Sequence, residues 1–494
     1  MADILIYNTL SGAKEAFTPI QEGKVGVYCC GPTTYNFVHI GNGRPLVVFD
    51  TVRRYLRYRG YDVTFVSNFT DVDDKIINRA ASEGQEAGDL ANYYIDEFFK
   101  DAAALGVLPA DVYPKVSEHM PEIISFIEAL VQKGVAYPLE GDVYYAIEKF
   151  SAYGKLSKRS RDDLLDGARV DVDQRKQNAG DFALWKKAKP GEPFWESPWG
   201  PGRPGWHIEC SAMSYKYLGE SFDIHGGGAD LIFPHHENEI AQSEGRFGKP
   251  MARYWMHNGF ITVNQEKMSK SEGNFFLLRD ILNQFPGQVV RFYLLSVHYR
   301  SPVDFDDEKL TMAQKGLERL KNAARNALVF TNEDMPDEEQ AKSFLAETEQ
   351  IKTRFEEAMD DDFNTALAIA ALFDLARIMN VYAGSSRSSS PALREGCERL
   401  AALADILGLD LLDGNDGGED QELSRALEAL MAELGAAPPA GKSVEEYMAG
   451  LLELRQAYRK EKNFAGADRI RDVLKSLSVV VEDTAQGPRW HKVQ

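Results

Sequence analysis

The sequence predicts an α/β protein: a doubly wound parallel sheet carrying an insertion, followed by a helical domain and a small C-terminal module. Three observations carry that reading. Short apolar runs alternate with helical periodicity in the first third of the chain. A second strand–turn–helix pattern follows a stretch rich in proline and glycine. Beyond residue 307 apolar side chains recur at three- and four-residue steps.

Residues 25–30 (VGVYCC) form a short apolar run bounded by glycines and read as a buried strand. Over 45–59, Val48, Val52, Tyr55 and Leu56 sit at helical spacing and Gly60 ends the pattern; 61–68 is rich in β-formers again. Residues 115–200 read as an insertion, with a helix over 118–133 and a hairpin over 134–147 that turns at Glu140-Gly141-Asp142. The five prolines and four glycines of 189–205 mark a connecting loop. A strand at 221–225, a glycine run at 226–228 and a helix from Pro234 to Arg246 follow, proline being a normal helix-entry residue. Leu310, Ala313, Leu317, Leu320, Ala324 and Ala327 share one helical face, and 354–380 and 392–407 continue in that style. The segments 413–418 (DGNDGG) and 435–442 (GAAPPAGK) read as linkers ahead of a terminal module over 445–494.

The 494 residues suffice for roughly three domains, and 44% hydrophobic with 27% charged residues is the composition of an ordinary soluble globular protein. No run of about 18 consecutive apolar residues occurs, so no membrane span is expected. The first ten residues carry Asp3 and no basic stretch, unlike a signal peptide, so the expected location is the cytoplasm. A net charge of −20 argues against general adhesion to nucleic acid but leaves room for a local basic surface. Four cysteines, at 29, 30, 210 and 397, are too few for a disulfide framework in a chain this long.

Several motifs bear on chemistry, each with a plainer alternative. Residues 435–443 imitate a phosphate loop, but five residues separate the first glycine from Gly-Lys where four are required, and no strand precedes them. His225-Gly226-Gly227-Gly228 resembles an esterase oxyanion segment, yet no G-x-S-x-G elbow accompanies it. A glycine run after a strand still permits close approach of another backbone or of a flat ligand, and a nucleotide is the usual guest at that end of a sheet. His235 and Glu239 are four residues apart on one helical face, a spacing that holds one metal ion or merely makes a solvated polar face. Cys30 and Cys210 add sulfur donors of the kind zinc favours, although buried cysteines also serve as small apolar residues. Adjacent strand residues point to opposite faces, so only one of Cys29 and Cys30 can serve such a site, and local sequence leaves open which. His39-Ile40-Gly41-Asn42 precedes a helix opened by Arg44 and Pro45, where a helix N-terminus attracts phosphate. Lys267-Met268-Ser269-Lys270-Ser271 places two lysines in a Ser/Gly-rich loop, suited to a departing pyrophosphate or simply to solvent.

Together these residues coincide with a known pattern. The chain resembles the class I aminoacyl-tRNA synthetases, with His39–Asn42 in the place of the "HIGH" signature and Lys267–Ser271 matching "KMSKS". Further segments resemble the cysteine-specific branch: 28–31 (YCCG), 68–76 (NFTDVDDKI), 205–213 (GWHIECSAM), 222–230 (FDIHGGGAD) and 233–239 (FPHHENE). The match is continuous from about residue 4 to 305 and patchier beyond. One departure is Asn42 in place of the signature's last histidine, and asparagine still donates a hydrogen bond.

The resemblance implies a Rossmann-like catalytic domain in two halves (1–114 and 206–265) around a connective insertion (115–205). After these it implies a KMSKS loop and stem-contact region (266–330), a helical tRNA-binding bundle (331–412), a linker (413–444) and an anticodon-binding module (445–494). It implies one zinc ion per chain on Cys30, Cys210, His235 and Glu239, leaving Cys29 aside, and Mg²⁺ with ATP. His39, Asn42, Lys267 and Lys270 are then the catalytic residues; ATP contacts fall on His39, Gly41, Asn42, His225, Gly226, Gly227, Asp230 and Lys270; Thr70 and Trp206 line the amino-acid pocket. Residues 363–377 resemble the family's helical domain. Residues 460–471 and 482–490 resemble its anticodon module, where Arg459, Asp468, Asp483 and Trp490 are candidates for base contacts, each with an ordinary surface charge as alternative. The expected partners are ATP, L-cysteine and tRNA(Cys), with no membrane and a monomeric chain. A zinc–thiolate bond would separate cysteine from serine without an editing domain. The alternative is a ligase with the same core that transfers cysteine to an amino sugar; a non-catalytic tRNA-binding paralogue is disfavoured by intact Lys267–Ser271 and His39.

Overall fold

The computed structural model describes residues 3–159, 175–263, 266–267, 276–332, 335–385, 387–412, 419–436, 444–461, 463–477, 479–484 and 487–492. The chain divides into two compact units, Met1–Leu412 and Asp413–Gln494.

In the first unit β1 (Leu5–Asn8) and β2 (Ala13–Ala16) form an antiparallel hairpin. Then β3 (Lys24–Cys29), α1 (Ile40–Tyr58) and β4 (Asp62–Ser67) make a strand–helix–strand unit, with β3 and β4 parallel from Lys24↔Asp62 to Cys29↔Ser67. The side chains explain it. Val25, Val27, Val63 and Phe65 are buried in one core with Val47, Val48, Val52 and Leu56 of α1. A strand covered in this way reads as a continuous apolar run.

After α2 (Asp74–Glu83) and α3 (Ala87–Ala104) the insertion contributes α4 (Met120–Gln132) and an antiparallel sheet. Its strands β5 (Ala136–Leu139), β6 (Asp142–Tyr145), β7 (Phe182–Lys187) and β8 (Gly202–Pro204) lie in that order, over a core containing Phe126, Val143, Tyr145 and Trp185. The chain returns through α5 (Trp206–Leu218) to β9 (Phe222–Gly228), a wide turn at Ile232–His236, α6 (Glu237–Phe247) and β10 (Ala252–Asn258). The main sheet has the order β10–β9–β3–β4, all parallel. From β3 the chain goes first to β4 on one side and later to β9 on the other. The crevice beyond the carboxyl ends of strands at such a reversal is where doubly wound folds bind ligands.

A smaller sheet of β11 (Ile261–Val263), β12 (Glu266–Lys267) and the later β13 (Val303–Phe305) follows, with α7 (Leu278–Leu282) and α8 (Gly287–Leu295) between its strands. Four long helices complete the unit: α9 (Asp307–Val329), α10 (Glu338–Asp360), α11 (Thr365–Ala383) and α12 (Ser390–Ile406). Among the described residues only α11 is long and apolar enough to cross a membrane by length and composition, and it packs against α9, α10 and α12 as a core helix. Two buried carboxylates seat this bundle. Asp50 of α1 pairs with Arg291 of α8, which in turn donates to the Leu407 carbonyl at 2.6 Å. Asp362 accepts from the Tyr7 N–H at 2.8 Å, the Tyr299 hydroxyl at 2.7 Å and Arg300 Nε at 2.7 Å.

The second unit packs α13 (Glu419–Glu433), α14 (Val444–Lys460) and α15 (Phe464–Ser476) with the antiparallel pair β14 (Val479–Thr484) and β15 (Gly487–Lys492). Leu427, Met448, Leu451, Ile470 and Leu474 form its core.

Four elements differ from the sequence expectation. Helix α1 begins at Ile40, and Pro45 lies inside it. Asn42 turns its Oδ1 back to the His39 N–H at 3.4 Å, so the start is made by a reciprocal cap and not by proline. The glycines 226–228 do not follow a strand but continue β9, pairing with Met256, His257 and Asn258. Helix α6 starts at Glu237, three residues after Pro234. Residues 354–380 are not one helix: Asp362 and Phe363 have φ of 63° and 50°, and Asn364 caps the next helix by accepting from the Leu367 N–H. The bonds of Asp362 to Tyr7, Tyr299 and Arg300 hold that break. The linker segments 413–418 and 437–442 lie outside the described residues.

Candidate active site and metal centre

Cys30 follows the last residue of β3, Cys210 lies in α5, His235 in the turn before α6 and Glu239 in its first turn. One donor atom from each lies within 4.8 Å of the others. Cys30 Sγ is 3.7 Å from Cys210 Sγ and 3.5 Å from Glu239 Oε1, and His235 Nε2 is 3.0 Å from the same oxygen. Tetrahedral zinc, with Zn–S of about 2.3 Å and Zn–O of about 2.0 Å, requires S···S near ~3.8 Å and S···O near ~3.5 Å. The quartet fits that ion in both donor type and spacing. Cys30, His225, His236 and Glu239 also converge within 4.8 Å, sharing two residues with the first set. There, however, His225 Nε2 already donates to Glu239 Oε2 at 2.8 Å, and only one sulfur is present.

Electrostatics favour a cation at the first quartet. The hydrogen bond from Cys30 holds the Cys210 thiol down at about 6. Burial opposes charge on His235, but Glu239 and Cys210 outweigh it and lift the imidazole to about 10. Burial likewise opposes charge on Glu239, yet His225 and His235 hold its carboxyl well below the usual range. Cys29 contrasts with these, since burial pushes its thiol up to about 12. Around the quartet, His236 Nδ1 meets His257 Nε2 at 2.8 Å, and His257 Nδ1 meets Thr9 Oγ1 at 2.8 Å. His225 stacks on Trp255 with ring centroids 4.5 Å apart.

Beside the quartet opens a cleft of about 360 Å³, a volume in the range of small-molecule sites. His39, Gly41, Asn42, Trp206 and Asp230 line it together with Cys30. His39 is the N-cap of α1, so the positive end of that helix faces the cleft. Gly31 makes the wall possible: a Cβ there would lie 1.6 Å from the Asn68 carbonyl oxygen.

Three expected nucleotide contacts are displaced. His225 is fully buried behind the cleft and bonds Glu239. A Cβ on Gly226 would lie 2.3 Å from the Phe49 ring, and one on Gly227 would lie 2.9 Å from His236. These glycines admit neighbouring side chains of the protein itself; Gly228 and Asp230 are the members of the run that reach the cleft. Thr70 sits beneath the wall, its carbonyl accepting from the Thr34 N–H at 3.1 Å and its hydroxyl donating to Glu209 at 2.9 Å. Lys267 ends β12, while Lys270 and residues 268–275 lie outside the described residues. In the second unit Arg459 and Asp468 lie on α14 and α15, Asp468 paired with Arg471 at 3.2 Å. Asp483 pairs with Pro488 across β14 and β15, and Trp490 packs partly buried against the unit's core. Asn68, Glu209, His236 and His257 were not singled out by sequence reasoning. The first three stand within four residues of motif positions, so the motif neighbourhood was the available signal.

Residues 16–315 match the family model of the class I (C) tRNA synthetase catalytic domain. The cysteine–tRNA ligase of Desulfitobacterium hafniense is 56% identical over 489 residues, covering 98% of both chains. That of Shouchella clausii is 52% identical over 491 residues, 99% of each chain. The chain belongs to the cysteine–tRNA ligase family. Consistent with the family, residues 354–412, which include α11 and α12, match the DALR domain. Among solved structures, a Mycobacterium tuberculosis methionyl-tRNA synthetase bound by methionyl-adenylate shares the fold, with a TM-score of 0.57 at 16% identity over 86% of this chain and 96% of its own. So does the LeuRS–tRNA–LeuAMS complex of Agrobacterium radiobacter K84, with a TM-score of 0.58 at 13% identity over 80% and 85%.

Proposed function

We propose that this chain, an enzyme that joins cysteine to tRNA using ATP, selects its amino acid through one zinc ion held by Cys30, Cys210, His235 and Glu239. The observation that carries the reading is the convergence of those four donors beside the cleft, whose wall includes Cys30. Bound there, the ion supplies a partner that stabilises the substrate's thiolate, for which a serine hydroxyl competes poorly. Shape alone discriminates similar side chains by only about 1–3 kcal/mol.

The substrate carboxylate attacks the α-phosphorus of ATP, forming the acyl–phosphate bond of the adenylate as pyrophosphate leaves; Mg²⁺ accompanying ATP would neutralise part of the phosphate charge. A hydroxyl of the 3′-terminal ribose of tRNA(Cys) then takes the cysteinyl group and AMP departs. Catalysis in the first step is largely positioning and charge stabilisation. His39, Gly41 and Asn42, at the positive end of α1, receive the phosphates. Lys267 and Lys270 offset charge developing on pyrophosphate. Asp230 and Gly228 line the adenosine side. Trp206, exposed at the cleft, and Thr70 receive the amino acid. His225 orients Glu239. Arg459, Asp468, Asp483 and Trp490 contact the anticodon, and the chain acts as a cytoplasmic monomer divided as its sequence pattern indicates. Transfer to an amino sugar is disfavoured, because the relatives match through the second unit as well.

Metal analysis combined with cysteine-dependent exchange of pyrophosphate into ATP tests the reading. Cys210→Ser is expected to lower zinc content and raise KM for cysteine. Unchanged zinc with unchanged KM would overturn the ligand assignment, and attachment of cysteine to an amino sugar but not to tRNA would overturn the acceptor.

A further inference from the structure

His39 sits on the stretch 30–39 that joins β3 to α1 and belongs to neither element, so contacts from elsewhere in the chain must fix its place. One is a short backbone pairing. The Ile40 N–H donates to the Phe276 carbonyl at 3.2 Å and the Leu278 N–H to the Val38 carbonyl at 2.9 Å, with His39 opposite Leu277 in an isolated antiparallel bridge. Residues 276–278 follow the Lys267–Ser271 signature closely in sequence, so this pairing ties together the two segments that handle phosphate.

Arg279, the second residue of α7, fastens that pairing to the body of the unit. Its Nη2 donates to Glu97 Oε2 at 2.7 Å and lies 3.4 Å from both oxygens of Asp101. Glu97 and Asp101 stand at i and i+4 on one face of α3. The guanidinium carbon lies 3.5 Å from the centre of the Phe37 ring, an attractive cation–ring contact, and Tyr94 of α3 meets the same ring edge-on at 5.1 Å. The side chains are 26%, 12% and 7% exposed for Arg279, Glu97 and Asp101, so salt screens these pairs less than open-surface ones. One side chain therefore clamps both α7 and Phe37 to α3. Phe37, Val38 and His39 all line the cleft, whereas Arg279 does not. We propose that Arg279 is a positioning residue for adenylate formation: held by Glu97 and Asp101, it keeps Phe37 and residues 276–278 where His39 and the start of α1 meet the phosphates in register. The proposal rests on the reading of His39 as a phosphate contact. A donor moved out of register costs most where charge develops, so the loss falls on turnover. Cysteine affinity is spared, because the metal quartet shares none of these contacts.

The test is a mutant cycle on the full chain, with kcat and KM for cysteine from pyrophosphate exchange and metal content from elemental analysis. Arg279→Met, which keeps the stem and removes the charge, should lower kcat about tenfold or more, the scale of a misplaced catalytic group. KM for cysteine should stay within about twofold and metal content should not change. Arg279→Lys, which restores the pair with Glu97, should recover part of the rate. Lys100→Met is the control: Lys100 also pairs with Glu97, at 2.6 Å, but is 70% exposed, and kcat should move less than about twofold. The cycle separates positioning from general support. Added to His39→Ala, Arg279→Met should cost no more than about a further twofold, since residues acting through one another are not additive. An unmoved kcat, a rise in KM or loss of metal in step with kcat, or full additivity with His39→Ala would each overturn the proposal. Should Arg279→Met fail to fold, Glu97→Gln, which loosens the same clamp, decides by the same cycle. Failure of the underlying reading looks different: His39→Ala alone would then leave kcat unchanged.

Discussion

Replacing Asp50 by asparagine should destabilise the catalytic unit by about 3–5 kcal/mol at neutral pH, the cost of removing one partner from a buried ion pair. The structure supports the upper part of the exposed-to-buried scale. The Asp50 carboxylate is fully buried and receives Arg53 at 2.5 Å, Arg54 at 2.8 Å, Arg291 at 2.6 Å and the Leu108 N–H at 3.1 Å. Arg291 is itself fully buried, so the substitution strands a guanidinium without a counter-charge. Asp405→Asn is the control. Its contact with Arg54 is 3.4 Å long and Asp405 is 81% exposed, so a change of about 0–1 kcal/mol is expected. The pH dependence has a definite sign. Burial alone would raise the Asp50 carboxyl, but Arg291, Arg54 and Arg53 outweigh it and hold the folded-state pKa below its ordinary value. The stabilisation is therefore complete above the unfolded value of about 3.9 and is lost as pH falls through the folded one. Urea unfolding of the two variants and the parent, in steps between about pH 7 and pH 3, gives the difference as midpoint shift times the common slope. A loss under about 1 kcal/mol at pH 7, or a gap that does not narrow in acid, would refute the reasoning.

His225→Ala should weaken metal affinity by about 10- to 100-fold, because Glu239 loses the donor that orients it; chelator competition measures this, and unchanged affinity would deny His225 that role. Gly31→Ala should cost about 1–3 kcal/mol or more, since its Cβ meets the Asn68 carbonyl, and should lower metal content by displacing the neighbouring Cys30; normal metal loading with an unaltered melting temperature would show that the wall can yield.

Much of the fold was legible because its signals are local. The strands β3 and β4 announce themselves as apolar runs, and α9 by one apolar stripe, since backbone periodicity writes directly into residue order. The neighbours of the glycine run at 226–228 were not legible for the opposite reason. Glycine records that something approaches the backbone closely, and only the packed molecule shows that Phe49 and His236 do so at two of the three positions. The break at Asp362 was invisible because its partners Tyr7, Tyr299 and Arg300 are far away in sequence. By itself the sequence determined the order of the elements, the sheet class and the kinds of donor available, and only the family resemblance, not strand geometry, singled out Cys30 over Cys29. Tertiary structure supplies a physical reason for that preference. It brings Cys30 to Cys210 across 180 residues of chain and leaves Cys29 buried with its thiol proton firmly held. A ligand set is a matter of a few ångströms between atoms on separate elements, and that distance exists only after the core has packed.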